Sequence, residues 1–287
     1  MTLPPNIHAY FDEPTNTVTY LVSDPATLMA ALIDPVLDYD HRSGKLKTTT
    51  AQRILDDIQQ AGLKLQWVLE THCHADHLSA APFFRRETGA PVVIGEHISE
   101  VQRIFSRVFN LDDISCTGAE FDKLVHDGET FSLGDLRVFV MHTPGHTPAC
   151  VSYRIGDAVF VGDTLFMPDY GTARSDFPGG DARTLYRSIR RLLALPADTR
   201  LFLCHDYKTE TRDDYRWETT VAEQLAANIH VHAGITEDEF VAMRERRDAT
   251  LAAPTLLLPS VQVNIRAGNL PPAEGNGTSY LKIPLSH

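Results

Sequence analysis

Four ligand-type side chains, His72, His74, Asp76 and His77, fall within one short run, T-H-C-H-A-D-H from Thr71 to His77. Imidazoles and a carboxylate crowded onto one loop would repel or desolvate one another unless a cation organised them. The run follows Leu65–Leu69, an apolar stretch of the length of a buried strand. Three more candidate ligands stand in the same relation to short apolar runs: His146 beyond Leu136–Met141, Asp163 beyond Ala158–Val161, and His205 beyond Arg200–Cys204. With 13 histidines in the chain, chance can place one or two at strand ends. Seven such residues after four strands point instead to a divalent metal held on rigid supports.

The rest of the chain supplies a frame for those strand ends. Thr17–Val22 and Leu28–Ile33 read as strands separated by Ser23-Asp24-Pro25, giving an opening hairpin. Ile54, Leu55, Ile58 and Ala61 recur at helical spacing and stop at Gly62; Ser79–Thr88 is a short helix closed by Gly89. Val151–Ile155 and Ala158–Val161 flank Gly156-Asp157, a pair suited to a tight turn. Leu185, Ile189, Leu192 and Leu193 mark one face of a helix, Val221–Ile229 is helical, and Thr236 with Glu239 forms a capping box for another helix. Strands, then strand–helix alternation, then further strands and helices make a layered α/β fold with more than one sheet. Pro254–His287, with its prolines and glycines, reads as an extended tail over the body, so residues 1–253 form the catalytic domain and 254–287 a tail packed on it.

Composition bounds the partners. A formal charge of −12 argues against nucleic acid and against an anionic membrane surface, both of which need clustered cations. The stretch Arg174–Arg216 is locally basic; Arg183, Arg187, Arg190 and Arg191 read as a solvated helix face, the alternative being contact with an anionic substrate. No signal-peptide pattern or spanning apolar run is present, which places the protein in the cytoplasm, and four cysteines without a C-x-x-C pair read as free thiols. Cys73, between two histidines on an extended loop, should point away from the metal.

H-C-H-A-D-H, T-P-G-H-T, V-G-D and C-H-D resemble the four ligand-bearing motifs of the metallo-β-lactamase superfamily, whose fold is an αββα four-layer sandwich with the site at the sheet edges. Within it, Gly171–Phe177 (G-T-A-R-S-D-F), His205-Asp206-Tyr207 and Pro259–Gly268 resemble the persulfide dioxygenases, and more closely a bacterial branch of β-lactamase-hydrolase-like proteins. Thr172 stands where the human-type motif has cysteine, and Met167-Pro168-Asp169-Tyr170 lengthens the approach to the Arg174 loop.

The resemblance implies one Fe(II) per chain on His72, His146 and Asp163, a two-histidine, one-carboxylate face that leaves three positions for water, substrate sulfur and O2. His74, Asp76, His77 and His205 would orient those ligands from behind, or hold a second ion in the alternative of two Zn(II) sharing Asp163, as in thioesterases of the glyoxalase II type. The implied reaction is oxidation of glutathione persulfide by O2 to sulfite and glutathione. Arg174 is the expected holder of a glutathione carboxylate, unless it braces Asp176, and Tyr207 the expected hydrogen-bond donor near the sulfur. A third alternative is a non-catalytic module that binds glutathione or a partner protein. The sequence leaves a homodimer open.

Overall fold

The computed structural model describes residues 3–285; Met1 and Thr2 of the amino-terminal stretch and Ser286 and His287 of the tail lie outside the described residues. Strands β1 (Asn6–Asp12), β2 (Thr17–Ser23) and β3 (Met29–Ile33) form an antiparallel meander. A small sheet of β4 (Val36–Asp40), β5 (Lys45–Lys47) and β7 (Leu78–Ser79) flanks it, and β6 (Lys64–Leu69), β8 (Val92–Gly95) and β9 (Lys123–Val125) extend it in parallel. The second six-stranded sheet runs antiparallel through β10 (Thr130–Leu133), β11 (Leu136–His142), β12 (Val151–Ile155) and β13 (Ala158–Phe160). Strand β14 (Arg200–Phe202) then lies parallel to β13, and β15 (Glu218–Thr220) closes the edge.

Period-two alternation decides the layers. In β2, Val18, Tyr20 and Val22 face the second sheet, which answers with Val138, Val140, Tyr153 and Phe160, so one core lies between the sheets. Ala30 and Leu32 of β3 face the other way, toward helices α1 (Thr49–Gln60), α2 (Ala81–Thr88) and α3 (Ile98–Phe109). On the far side of the second sheet, Leu185, Ile189 and Leu192 of α4 (Ala182–Leu192) bury the helical face read from the sequence; beside them lie α5 (Val221–Ala227) and α6 (Glu237–Asp248). The result is the expected αββα sandwich. The capping box of Thr236 and Glu239 forms at the start of α6. Three of the four α4 arginines pair on the surface, Arg183 and Arg187 with Glu237 and Arg191 with Asp127, as a solvated helix face implies. No helix among the described residues is long and apolar enough to cross a membrane.

Several elements differ from the sequence reading, the short strands β4, β5, β7, β9, β10 and β15 among them, and three more have a plain physical reason. Strand β1 precedes the expected hairpin; its half-exposed residues carry too little apolar pattern to announce it. Helix α3 has a repeat at Ile98, Val101, Phe105 and Phe109 that the reading omits. The supposed extended tail opens with helix α7 (Leu257–Asn264), buried nearly all round, which removes the polar face by which a surface helix is recognised. Only beyond it, from Asn269, does the chain run without helix or strand.

Helix α7 matters to the metal-ligand loop. The Asn264 amide donates to the carbonyls of His74 and His77, both at 2.8 Å, and its oxygen accepts from the Ser79 amide at 2.9 Å. Asn264→Ala orphans all three buried groups, so it should lower the unfolding free energy of the metal-free protein by about 3 kcal/mol in urea titrations. A loss below about 1 kcal/mol would mean that the helix does not hold the loop.

Candidate metal centre

Every expected ligand lies on a segment that leaves a strand toward one end of the sandwich. The Thr71–His77 loop follows β6, His146 lies beyond β11, Asp163 beyond β13 and His205 beyond β14. Two of these segments require glycine. Gly145 has φ +133° and a side chain there would come within 2.3 Å of the Leu185 backbone; Gly162 has φ +53° and would meet the Thr71 hydroxyl at 2.6 Å. The loops bearing His146 and Asp163 therefore pass their neighbours at backbone distance.

Hydrogen bonds fix which ring nitrogen each histidine keeps free. His146 Nδ1 lies 2.8 Å from the Arg174 carbonyl and His205 Nδ1 3.1 Å from the Asn16 carbonyl; a carbonyl only accepts, so both rings donate there. The Thr71 hydroxyl donates to Asp34 at 2.8 Å, so it accepts from His72 Nδ1 at 3.0 Å. His77 Nδ1 donates to Asp76 at 3.0 Å. In each ring Nε2 is left with its lone pair, as a metal ligand needs. Nε2 of His72, His77 and His205, with Asp163 Oδ1 and His74 Nδ1, are buried without a hydrogen-bond partner among the described residues. Such orphans are costly unless a cation takes them, so the donor set fits a metal.

Asp163 divides the donors. Its Oδ2 lies 3.6 Å from His146 Nε2 and 4.0 Å from His72 Nε2, and its Oδ1 3.3 Å from His205 Nε2. His72, His146 and Asp163 thus offer three atoms to one ion. On the other side, Asp76 lies 3.6 Å from His205, but the same Asp76 oxygen already accepts from Thr17 and from His77, each at 3.0 Å. Burial works to raise the Asp76 pKa, yet His205 and His77 hold the carboxyl well below its usual range. Burial and the adjoining His74 and His146 rings hold His72 well below the ordinary imidazole value, so it stays neutral and able to ligate.

Two residues that the sequence reading passes over organise this loop. Asp34, at φ +50° just past β3, accepts from the Thr71 amide at 2.7 Å and from His74 Nε2 at 3.0 Å. Glu70 lies 3.4 Å from the same nitrogen and accepts from the Ser79 hydroxyl. Burial alone would depress the His74 pKa, but the Asp34 and Glu70 carboxylates carry it well above the ordinary value. The available signal was a lone acid closing each of two apolar runs, L-I-D and V-L-E.

A cavity of about 630 Å³ opens over Asp76, His146, Asp163 and His205. One wall is aromatic: Tyr170 stacks on Tyr207 with ring centres 4.9 Å apart, and Tyr207 lies against Phe166. Arg212 clamps this wall from outside, bidentate to Asp206 at 2.6 Å and reaching Asp169 at 2.8 Å, so it joins the Met167–Tyr170 segment to the Tyr207 segment. Burial and the Asp163 and Asp76 charges raise the Tyr207 phenol well above its ordinary pKa although 39% of the residue is exposed, which keeps it a hydroxyl donor.

Arg174 also lines the cavity, but its fork is already engaged: Nε and Nη2 donate to Asp176 at 2.6 and 2.7 Å and Nη1 to the Ala252 carbonyl at 2.8 Å. The brace with Asp176 is thus the arrangement found, and a carboxylate of substrate meets no free fork there. His142, the last residue of β11, stacks on His97 with ring centres 4.4 Å apart. Cys73 packs into the core under the first sheet, away from the ligand atoms as its place on the loop implies, and burial pushes the Cys150 thiol up to about 12. All four cysteines are free.

Residues 13–205 match the family model described as Metallo-beta-lactamase superfamily. A probable metallo-hydrolase of Burkholderia pseudomallei is 51% identical over 97% of this chain and 98% of its own length. A beta-lactamase hydrolase-like protein of Xylella fastidiosa is 50% identical over 98% of this chain, which spans 65% of that longer protein. The mitochondrial persulfide dioxygenase ETHE1 of Mus musculus is 30% identical over 92% of this chain and 89% of its own. The crystal structure of ETHE1 from Myxococcus xanthus superposes with a TM-score of 0.74 at 34% identity, covering 92% of this chain and all of the other.

The cavity floor yields a pH prediction. His230 Nδ1 accepts from the Thr172 amide at 3.1 Å and holds the Gly171–Thr172 turn. Burial, then the charges of Arg244 and Arg247, lower the His230 pKa from 6.5 to about 4. The unfolded chain therefore binds this proton at a pH where the folded chain does not. The stabilising contribution is complete above about 6.5 and is lost as pH falls toward 4, by on the order of 3 kcal/mol. In urea titrations of metal-free protein, His230→Gln should show a shallower loss than wild type over that interval; parallel curves would contradict this.

Proposed function

Because the chain belongs to the metallo-beta-lactamase superfamily and offers a three-donor face to a cavity, we propose that it is a persulfide dioxygenase, oxidising glutathione persulfide with O2 to sulfite and glutathione at one Fe(II). The observation that carries this reading is the grouping of His72, His146 and Asp163 apart from His74. Asp34 and Glu70 engage His74 Nε2 at 3.0 and 3.4 Å, so that ring is tied to the loop behind the three-donor face. The likeness to ETHE1, with its full coverage of the Myxococcus xanthus chain, supports the same reading.

Bound on these three donors, Fe(II) supplies adjacent open positions and the electronic path that a singlet thiol and triplet O2 lack. In balance, the terminal sulfur is oxidised by four electrons and O2 is reduced by four. The S–S bond breaks, water supplies the third sulfite oxygen, and the glutathione sulfur leaves as thiol. The chain's part is positional. The Arg174 carbonyl holds the His146 ring and Thr71 holds His72, so the donors do not reorient when substrate arrives. The aromatic wall of Tyr170, Tyr207 and Phe166 limits water above the site, and the Tyr207 hydroxyl, kept protonated, donates toward the substrate sulfur. Arg174 contributes a neutralised surface beside Asp176 along which the substrate lies. The reaction belongs in the cytoplasm and needs neither nucleic acid nor membrane.

A second reading, a thioesterase with two Zn(II), draws on the other oxygen of Asp163, which faces His205 and Asp76, and on the metallo-hydrolase name of the Burkholderia pseudomallei relative. A purely structural metal is disfavoured by the open face, since structural sites are closed by four ligands. Oxygen-electrode measurements on anaerobically purified protein separate the readings. We expect O2 uptake that requires glutathione persulfide and yields sulfite one for one, with no thioester hydrolysis. Thioester hydrolysis without O2 uptake would overturn the proposal.

A further inference from the structure

The cavity is lined by three arginines, Arg174, Arg244 and Arg247, in a chain whose formal charge is −12. Two are neutralised in place. Arg174 is bidentate to Asp176, and the buried Arg244 donates to Asp248 at 2.9 and 2.6 Å and to the Thr172 carbonyl at 3.1 Å. Arg247, exposed one helical turn beyond Arg244 on α6, has no side-chain hydrogen bond or ion pair with any described residue. Its field reaches the aromatic wall: burial raises the Tyr170 phenol, while Arg247 and Arg244 pull against that rise.

The guanidinium that lines this cavity without a carboxylate is therefore Arg247, and the cavity carries one uncompensated positive charge on that side. An arginine fork lining a cavity whose other cations are paired suits a planar anion, bound through two parallel hydrogen bonds. We propose that Arg247 is the specificity-determining residue of the cavity and selects substrates whose end remote from the reacting sulfur carries a carboxylate. Resting on the persulfide dioxygenase reading, it assigns to Arg247 the contact that the sequence suggests for Arg174. It also gives the isolated positive charge a function, since the surrounding negative field would otherwise repel an acidic substrate.

The test compares glutathione with glutathione diethyl ester, which keeps the thiol but lacks both carboxylates. Calorimetric titration of metal-loaded wild type, Arg247→Ala and Arg247→Lys reads binding without turnover. Wild type should bind glutathione about tenfold more tightly than the ester, a preference that shrinks as salt rises. Arg247→Ala should weaken glutathione about tenfold without weakening the ester, and Arg247→Lys should restore part of the difference. In O2-uptake assays the Arg247→Ala loss should fall on the Michaelis constant for glutathione persulfide. Equal binding of acid and ester by wild type, an equal loss of both in Arg247→Ala, or no binding of either by wild type would overturn the inference. Arg247-dependent binding of the acid in a protein that consumes no O2 would refute the dioxygenase reading and leave this one standing.

Discussion

The carboxylate of Asp34 ties the end of β3 to the loop that follows β6, and the site hangs from that tie. It accepts at once from the Thr71 amide, the Thr71 hydroxyl and the His74 ring, at 2.7 to 3.0 Å, in a fully buried place. Because the Thr71 hydroxyl is committed to Asp34, its lone pair faces His72, and that sets the tautomer of the ring expected on the metal. A buried carboxylate with these donors satisfied stabilises the loop; the same carboxylate stripped of one of them would be a buried charge poorly matched, which is why the arrangement is all or nothing.

From this tie outward, the rings are held by oxygen atoms of the fold and not by one another. Arg174 supplies a carbonyl to His146 and Asn16 one to His205. The donors that remain unpaired, on His72, His77, His205 and Asp163, are buried and gathered at one end of the sandwich. A cation relieves the cost of leaving them unpaired, so metal binding and the stability of this end of the sandwich are coupled. Helix α7 completes the cage from the far end of the chain, through Asn264.

Much of this was legible in the sequence because ligands and strands declare themselves locally. The run from His72 to His77, the placement of His146, Asp163 and His205 after apolar runs, and a layered α/β frame with more than one sheet follow from spacing and alternation, while the αββα order came with the superfamily resemblance. What stayed hidden depends on contacts distant in sequence. Asp34 and Glu70 look like ordinary acids at the ends of strands until folding brings His74 between them. Helix α7 is buried nearly all round, its polar Ser260, Gln262 and Asn264 included, so no periodic face announces it. The pairing of Arg174 with Asp176, two residues apart, was foreseeable as a brace, whereas the freedom of Arg247 depends on α6 packing beside the cavity.

The central claim is that one ion sits on His72, His146 and Asp163, with His74 held aside by Asp34 and Glu70. Anomalous diffraction from crystals of anaerobically purified protein, recorded at the iron and zinc absorption edges, tests it most directly. The account predicts one peak per chain, at the iron edge, bounded by His72, His146 and Asp163. Two peaks at the zinc edge straddling Asp163, with His74 and Asp76 among the ligands, would contradict it.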